Sequence, residues 1–164
     1  MEQALEETML LEEDTQKDKY LTFVLGREEY GIGINYVTEI VGVQSITQIP
    51  ELPDYVKGII NLRGKIIPVI DVRLRFGKEA REYTDRTCTI VIEVKGRTVG
   101  LIVDAVAEVS SISEKNIVPP PQLSSGYHQK YIKGIGKVGD NVKLILDCER
   151  LLSDDEIENL SNIA

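Results

Sequence analysis

Histidine and cysteine, two residue types that often carry catalysis or bind metals, are scarce in this chain of 164 residues. It has one histidine, His128, in a polar loop, and two cysteines, Cys88 and Cys148. General-base or metal-ligand work would need partners at a suitable spacing around His128, and the sequence offers none. Cys88 shares one face of a predicted strand with apolar residues, so we expect both cysteines to be small core residues rather than a redox pair. The sequence therefore predicts no enzyme, no metal site and no cofactor.

One glycine-rich motif could in principle cradle a phosphate. Gly134–Gly139, GIGKVG, matches the G-x-G-x-x-G pattern of dinucleotide-binding loops. That mechanism needs a helix directly after the loop, because the helix N-terminus contacts the phosphates. Here the glycines lie in a predicted hairpin, and the next segment, Asn141–Leu146, is typical of another strand. A small-molecule- or nucleotide-binding regulatory domain remains the alternative hypothesis.

Arg63 is the residue with the clearest reason to contact a partner. It lies in the sequence NLRG, between two apolar runs, where Asn61 and Gly64 have ordinary uses in a turn. Arg63 has no such local use, so two hypotheses stay open. It is either a solvated arginine whose surface ion pair contributes about 0–1 kcal/mol, or a guanidinium presented to a carboxylate or carbonyl of a partner.

An internal repeat surrounds this turn and serves as a control. Tyr55–Phe76 aligns without a gap with Tyr131–Leu152, 76 positions downstream. At the front of each half the offset is 69, which places Glu39 over Glu108. Residues that both copies share are expected to serve the fold, and residues that only one copy has are candidates for function. Gly139 stands in the second copy where the first has Arg63, so the arginine falls in the second group.

Short strands and tight turns make up most of the predicted elements. Two short segments, Tyr36–Val41 and Ala105–Val109, are expected to be helical, and Asp71 is expected to cap a helical turn through Phe76. No segment between strands is long enough for the crossover helices of a doubly wound α/β fold. The predicted class is all-β, with two small antiparallel barrels packed together and short helices at the barrel ends and the C-terminus. The strands are predicted at Lys19–Leu25, Tyr30–Ile34, Gln44–Ile49, Gly58–Leu62, Lys65–Asp71, Thr87–Val94, Thr98–Val103, Tyr131–Val138 and Asn141–Leu146.

Charge is distributed unevenly along the chain. The net charge is −8, of which residues 1–18 contribute −6 and residues 153–164 contribute −4, so the body between them is +2. The first segment is expected to be a disordered tail and the last an acidic helix. The barrels are expected near residues 19–82 and 83–152, and an exchange of strands between them is left open. A body this close to neutral argues against binding of nucleic acid or an anionic membrane and suits contacts with proteins.

Two apolar groups are candidates for such contacts. In a helix, Val37 and Ile40 would share one face beside Glu39, and Val106 and Val109 would take the same places in the second half. We expect one member of each pair to be core. If others stay exposed in a groove between the barrels, they form an apolar strip flanked by charge. A further cluster is either core or an exposed barrel edge: Ile46, Ile49, Leu52 and Pro53.

The ordered set of motifs from Lys19 to Leu152 resembles the CheW-like domain family. The residues that carry the resemblance are Glu29-Tyr30-Gly31-Ile32, Val37-Thr38-Glu39-Ile40, Lys57-Gly58, Asn61-Leu62-Arg63-Gly64, Pro68-Val69-Ile70-Asp71-Val72-Arg73 and Val99-Gly100-Leu101-Ile102-Val103-Asp104. The resemblance implies two SH3-like five-stranded barrels and no enzymatic activity. It implies a cytoplasmic adaptor of chemotaxis that bridges methyl-accepting chemoreceptors to the histidine kinase CheA and reaches the membrane only through these partners.

The resemblance also implies where the partners bind. The cytoplasmic tip of the receptor would dock in the groove between the barrels, in contact with Val37, Glu39, Ile40, Arg63, Gly100 and Val109. A barrel of the kinase's regulatory domain, which has the same fold, would pair with an exposed barrel edge. We place that contact loosely at Ile46, Ile49, Leu52 and Pro53.

Overall fold

The computed structural model describes residues 17–120 and 129–152. His128, nearly all of the predicted acidic tail and the predicted C-terminal helix lie outside these residues. Within the described ranges, no helix is both long enough and apolar enough to cross a membrane.

Eleven strands and two short helices form the described part of the chain. The helices are α1 (Val72–Arg75) and α2 (Cys148–Leu151), one at the end of each repeat. Each begins after an aspartate whose carboxylate accepts a backbone hydrogen bond, Asp71 from Leu74 and Asp147 from Arg150. The strands are β1 (Lys19–Leu25), β2 (Glu28–Gly33), β3 (Val37–Gly42), β4 (Val56–Leu62), β5 (Lys65–Asp71), β6 (Cys88–Val94), β7 (Arg97–Val103), β8 (Ala105–Ser111), β9 (Ile117–Val118), β10 (Ile132–Val138) and β11 (Asn141–Leu146).

The strands form two sheets that do not follow the two sequential halves. The first sheet has the order β8-β1-β2-β11-β10-β9, and the second has the order β3-β6-β7-β5-β4. The opening hairpin of each half, β1–β2 or β6–β7, therefore lies in the sheet formed mainly by the other half. The predicted all-β class with two barrel-like sheets is confirmed. The prediction of purely antiparallel barrels is wrong in one respect, because β2 pairs with β11, and β5 with β7, in parallel.

One large core joins the two sheets. Four aromatic rings, from Phe23, Tyr30, Phe76 and Tyr131, form a continuous row with centroids 5.6, 5.5 and 5.7 Å apart. These residues come from both halves, so the two sheets share one apolar interior. The five-stranded sheet encloses a second, smaller core, whose buried members are Ile60, Ile67, Val69, Val91 and Ile102.

A partly buried ion pair also joins the halves. The Arg73 guanidinium donates two hydrogen bonds of 2.8 Å to the Asp104 carboxylate, which also accepts from the Gly26 backbone N–H at 2.8 Å. Burial alone would raise the pKa of Asp104, but hydrogen bonds from Arg73, Gly26 and Arg81 outweigh burial and hold that pKa below its usual range. Arg73 follows β5 and Asp104 follows β7, so this pair anchors the ends of the parallel strands.

Both predicted helices after the opening hairpins are wrong. Ile34–Tyr36 forms a single 3-10 turn, and the chain then continues as β3. The second predicted helix, Ala105–Val109, lies in β8. β3 is rich in β-branched residues, which favour strands. β3 and β8 also form backbone hydrogen bonds along β6 and β1, and these exceed what a helix of five or six residues could form.

The predicted strand Gln44–Ile49 is also wrong, since it forms only one bridge to β4. Thr47 and Ile59 exchange two backbone hydrogen bonds, each 2.9 Å long. Next to this bridge, Gly58 has φ +143°, and a Cβ built on it would lie 2.0 Å from the carbonyl oxygen of Thr47. Only glycine therefore permits the 43–55 loop to lie this close to β4.

Gly58→Ala should lower the free energy of unfolding by about 1–3 kcal/mol, because the added methyl group overlaps Thr47 and the backbone is strained. The measurement is urea denaturation, with Gly42→Ala as the matched control, since a Cβ at Gly42 meets no atom within 4 Å. Equal unfolding midpoints for the two variants would contradict this role of Gly58.

Candidate protein-interaction site

Arg63 occupies a backbone position that favours glycine. The β4–β5 hairpin turns at Arg63 and Gly64, which have φ +54° and +88°. Two consecutive positive φ angles are typical of a type I′ turn, a conformation that is unfavourable for most residues with a side chain. The Asn61 carboxamide oxygen accepts a hydrogen bond of 2.8 Å from the Gly64 N–H, as the turn chemistry predicts. The equivalent of Arg63 in the second half is Gly139, with φ +60°. The first half therefore has an arginine at this position in spite of the backbone strain.

The Arg63 side chain forms an ion pair with Glu39 and remains largely exposed. Its Nη2 donates to Oε2 of Glu39, and the two side chains are 70% and 31% exposed. Glu39 lies on β3 and Arg63 at the tip of the β4–β5 hairpin, so the pair connects elements at opposite edges of the five-stranded sheet. An exposed pair of this kind contributes only about 0–1 kcal/mol to stability. Most of the guanidinium stays available to a partner.

A β-bulge at Thr38 places the two apolar candidates of β3 on one face. Val37 and Ile40 pair with Ile92 and Ile90 of β6, whereas Glu39 and Val41 lie on the opposite face. Val37 packs against the large core, and Ile40, on the same face, is 43% exposed. The two residues therefore share a face, as predicted, although the segment is a strand with a bulge and not a helix.

The second half repeats this arrangement on β8. Val106 packs against the large core, and Val109 is 53% exposed. The expectation that one member of each pair is core is therefore confirmed. Ile40 and Val109 occupy equivalent places on the edge strands of the two sheets.

Gly100 does not fit the expected role of a receptor contact. It is buried in β7, and a Cβ built on it would lie 2.8 Å from Thr89 Cγ2 and 2.9 Å from Val69 Cγ1. Gly100 pairs with Val69 where β7 runs parallel to β5. It therefore permits close packing of strands and offers no surface to a partner.

The four apolar residues expected to contact the kinase lie in and beside the loop that crosses β4. Ile46, Ile49, Leu52 and Pro53 are all half-buried, and Ile46 packs against the smaller core. β4 is an edge strand of its sheet, and among the described residues only Thr47 bridges to it there. The cluster thus covers part of a sheet edge and leaves some apolar surface open.

The glycine-rich motif does not form a phosphate loop. Gly134 and Gly136 lie within β10, and β11 follows where a phosphate site needs a helix. A Cβ at Gly134 would lie 2.6 Å from Ile117 Cγ2, so this glycine makes room for β9. The geometry that the nucleotide-binding alternative requires is therefore not present in this hairpin.

Three residues escaped the sequence analysis. Ile66 and Val142, equivalents in the two repeats, are 44% and 54% exposed although they lie in apolar strands. Lys143 is 3% exposed and stands where the first repeat has Ile67. A charged residue at an apolar position of the repeat was a signal available in the sequence.

Comparison with known proteins shows one consistent relationship. The model of the CheW-like domain family matches residues 19–156. Chemotaxis protein CheW of Klebsiella aerogenes is 38% identical over 151 residues, covering 92% of this chain and 91% of that protein. The protein of the same name from Treponema pallidum is 38% identical over 149 residues, covering 87% of this chain and 86% of that protein. The crystal structure of the scaffolding protein TtCheW from Thermoanaerobacter tengcongensis superimposes with a TM-score of 0.78 at 42% identity, covering 85% of this chain and 94% of that one.

The backbone of Arg63 generates a stability prediction. Arg63→Gly should be more stable than Arg63→Ala by about 1 kcal/mol, because both lose the ion pair and only glycine adopts φ +54° without strain. At Lys65, two residues on and without a positive φ, the order should reverse, since glycine weakens a strand. Chemical denaturation of the four variants measures both differences. An alanine variant at position 63 as stable as the glycine variant would contradict the strain argument.

Proposed function

The chain belongs to the CheW-like domain family, and from this membership we propose that it is a non-enzymatic adaptor of bacterial chemotaxis. It couples the cytoplasmic tip of a methyl-accepting chemoreceptor to the regulatory domain of the histidine kinase CheA. The protein acts in the cytoplasm and reaches receptor arrays at the membrane through these two partners. It carries a signal by making contacts that differ between the activity states of its partners.

The observation that carries this proposal is the exposed Arg63 at a position that favours glycine. Its stability contribution through Glu39 is small, so the arginine is better explained by binding than by folding. A guanidinium that already holds one carboxylate is fixed in direction and still has free donors for a carbonyl or carboxylate of the receptor. Arginine is among the residues that most often dominate binding energy at interfaces.

The receptor site then consists of this ion pair and nearby or equivalent apolar residues. Ile40 follows Glu39 on β3, and Val109 holds the equivalent place on β8. Together they offer exposed aliphatic groups beside charge, which suits the surface of a helical hairpin better than a small ligand. Val37 supports the site from below, and Gly100 does so by allowing β7 and β5 to pack.

The kinase site is proposed at the 43–55 loop and the β4 edge that it covers. Ile49, Leu52 and Pro53 expose part of their apolar surface there. In this proposal, this edge and the Arg63–Glu39 surface are two different binding surfaces, so that both partners bind at the same time. Simultaneous binding is what an adaptor requires.

Arg63→Ala should weaken binding to a receptor cytoplasmic fragment at least tenfold, because truncating an arginine hot spot costs about 2 kcal/mol. Ile40→Asp and Val109→Asp should weaken it further, since each places a charge against an apolar partner surface. Isothermal titration calorimetry measures the affinities, and Lys137→Ala, an exposed lysine on β10, is the control for loss of one charge. Wild-type affinity for Arg63→Ala would remove Arg63 from the site. Val37→Asp is unsuitable for this purpose, because it should lower the melting temperature instead.

Ile49→Asp should weaken binding to the regulatory domain of CheA and leave affinity for the receptor fragment unchanged. The physical reason is that the charge lies on the proposed kinase surface and not on the Arg63–Glu39 pair or on Ile40. Paired titrations of one preparation against both partners measure this separation. Equal losses for both partners would mean that the variant disturbs the fold, and loss of receptor binding alone would move the kinase site elsewhere.

A further inference from the structure

The two barrel-like sheets enclose different side chains, although the strands of the two repeats are arranged in equivalent orders. The five-stranded sheet is filled with Ile60, Ile67 and Val91, all buried in the smaller core. In the six-stranded sheet the equivalent positions, at offsets of 76 and 69, hold Gly136, Lys143 and Thr22. These three residues are buried as well, so the second interior is partly polar. The stem of one lysine occupies space that isoleucine fills in the other sheet.

Lys143 connects three strands through its ammonium group. It lies on β11, its Nζ donates to Oε2 of Glu29 on β2, and it lies 3.7 Å from Oε1 of Glu108 on β8. The Lys143 side chain is only 4% exposed, whereas Glu29 and Glu108 are 36% and 62% exposed. A buried cation thus holds two carboxylates at the surface of the sheet.

Glu108 is also held through its backbone and its neighbours. The Thr22 hydroxyl donates to the Glu108 carbonyl at 2.8 Å and accepts from the Glu108 N–H at 3.1 Å. The Ser110 hydroxyl donates to the Glu108 carboxylate at 3.4 Å. Thr22 and Ser110 therefore both bond to Glu108, whose carboxylate lies 3.7 Å from the Lys143 ammonium group.

The repeat shows what this arrangement replaces. Glu108 is the equivalent of Glu39, which pairs with Arg63 at the tip of its hairpin. The second hairpin has Gly139 at that tip and cannot supply the cation from there. Lys143, four residues further along the same hairpin, supplies it from inside the sheet.

Stability alone does not explain a buried lysine at this place. Desolvating an ammonium group is costly, and well-packed apolar residues of similar volume are often as stable or more stable than a buried ion pair. Ile67 shows that the fold accepts an aliphatic side chain at the equivalent position. A geometric role is therefore the better explanation.

We propose that Lys143 is a positioning residue that holds Glu108, and with it the adjacent Val109, in the orientation required for docking on β8. It is the counterpart in the six-stranded sheet of the Arg63–Glu39 pair. The inference rests on the proposed function, because it assigns Lys143 a part in receptor binding without contact to the receptor.

The test compares Lys143→Met with Lys137→Met, which removes an exposed lysine from the adjacent strand β10. Lys143→Met should remain folded and bind the receptor fragment about tenfold more weakly, whereas Lys137→Met should bind as wild type. Lys143→Ile, which copies the first repeat, is the second variant should the methionine variant fail to fold. Unchanged affinity in a folded Lys143 variant overturns the proposal.

A rescue experiment separates positioning from general damage. Gly139→Arg places an arginine where the first repeat has Arg63, at a turn whose φ of +60° is close to that of Arg63 and whose Cβ meets no atom within 4 Å. Added to Lys143→Met, it should restore affinity to within about threefold of wild type. In a Glu108→Gln background, Lys143→Met should cause no further loss of affinity. Failure of the rescue, or additive losses with Glu108→Gln, overturns the proposal.

A readout without the receptor distinguishes this inference from the proposed function. Amide hydrogen exchange along β8 should be about tenfold faster in Lys143→Met and return to the wild-type rate with Gly139→Arg. If wild-type protein binds no receptor fragment while β8 shows this pattern, the proposed function fails and the positioning role stands. Unchanged exchange along β8 overturns the positioning role, whatever the binding results.

Discussion

The parallel pairings of β2 with β11 and of β5 with β7 are the constraint on which the molecule depends. Each pairing inserts the opening hairpin of one half into the sheet of the other half. Neither sheet is complete without strands from both halves, so the halves cannot separate without losing backbone hydrogen bonds and apolar burial together. The aromatic row and the Arg73–Asp104 pair lie at this junction and reinforce it. A small domain of this size thereby obtains a large core to which both halves contribute, beside the smaller core of the five-stranded sheet.

This exchange leaves β3 and β8 as equivalent edge strands of the two sheets. Exposed edge strands can pair with strands of other chains and cause aggregation, and charged side chains on an edge strand reduce such pairing. Glu39 and Glu108 are such charges, and each precedes an exposed aliphatic residue, Ile40 or Val109. The same edge can thus resist nonspecific pairing and present a specific apolar contact, which is the combination that an adaptor surface needs.

Function in this fold arises where the repeat is broken. The two halves share strand order, capping aspartates and bulge positions, and they differ at Arg63 against Gly139 and at Ile67 against Lys143. Both differences concern a cation that faces the glutamate of an edge strand. Arg63 is exposed, and its positive φ strains the backbone. Lys143 is buried, and its ammonium group is desolvated. Because each is unfavourable locally, each requires an explanation outside local stability.

Most strands and the helical turn capped by Asp71 could be predicted from the sequence. β1, β5 and β11 were predicted to the residue, because alternating or continuous apolar runs between Gly, Pro and Asn determine such elements locally. The repeat identified Arg63 as unusual, and the family resemblance assigned Glu39, Ile40 and Val109 to the same expected receptor site. Lys143 was detectable as a charge at an apolar position of the repeat, but nothing in the sequence showed that it is buried.

Only the tertiary structure decided the rest. The segment after Asn35 has the spacing of a short helix, yet it is a strand because β6 lies beside it, and β6 is about fifty residues away in the chain. For the same reason Gly100, which reads as part of a surface motif, is enclosed between Thr89 and Val69. The sequence by itself determined which residues prefer extended backbone, turns and burial, since these preferences are local. Pairing between remote strands depends on which partners the whole fold brings together, and this decided which side chains remain at the surface.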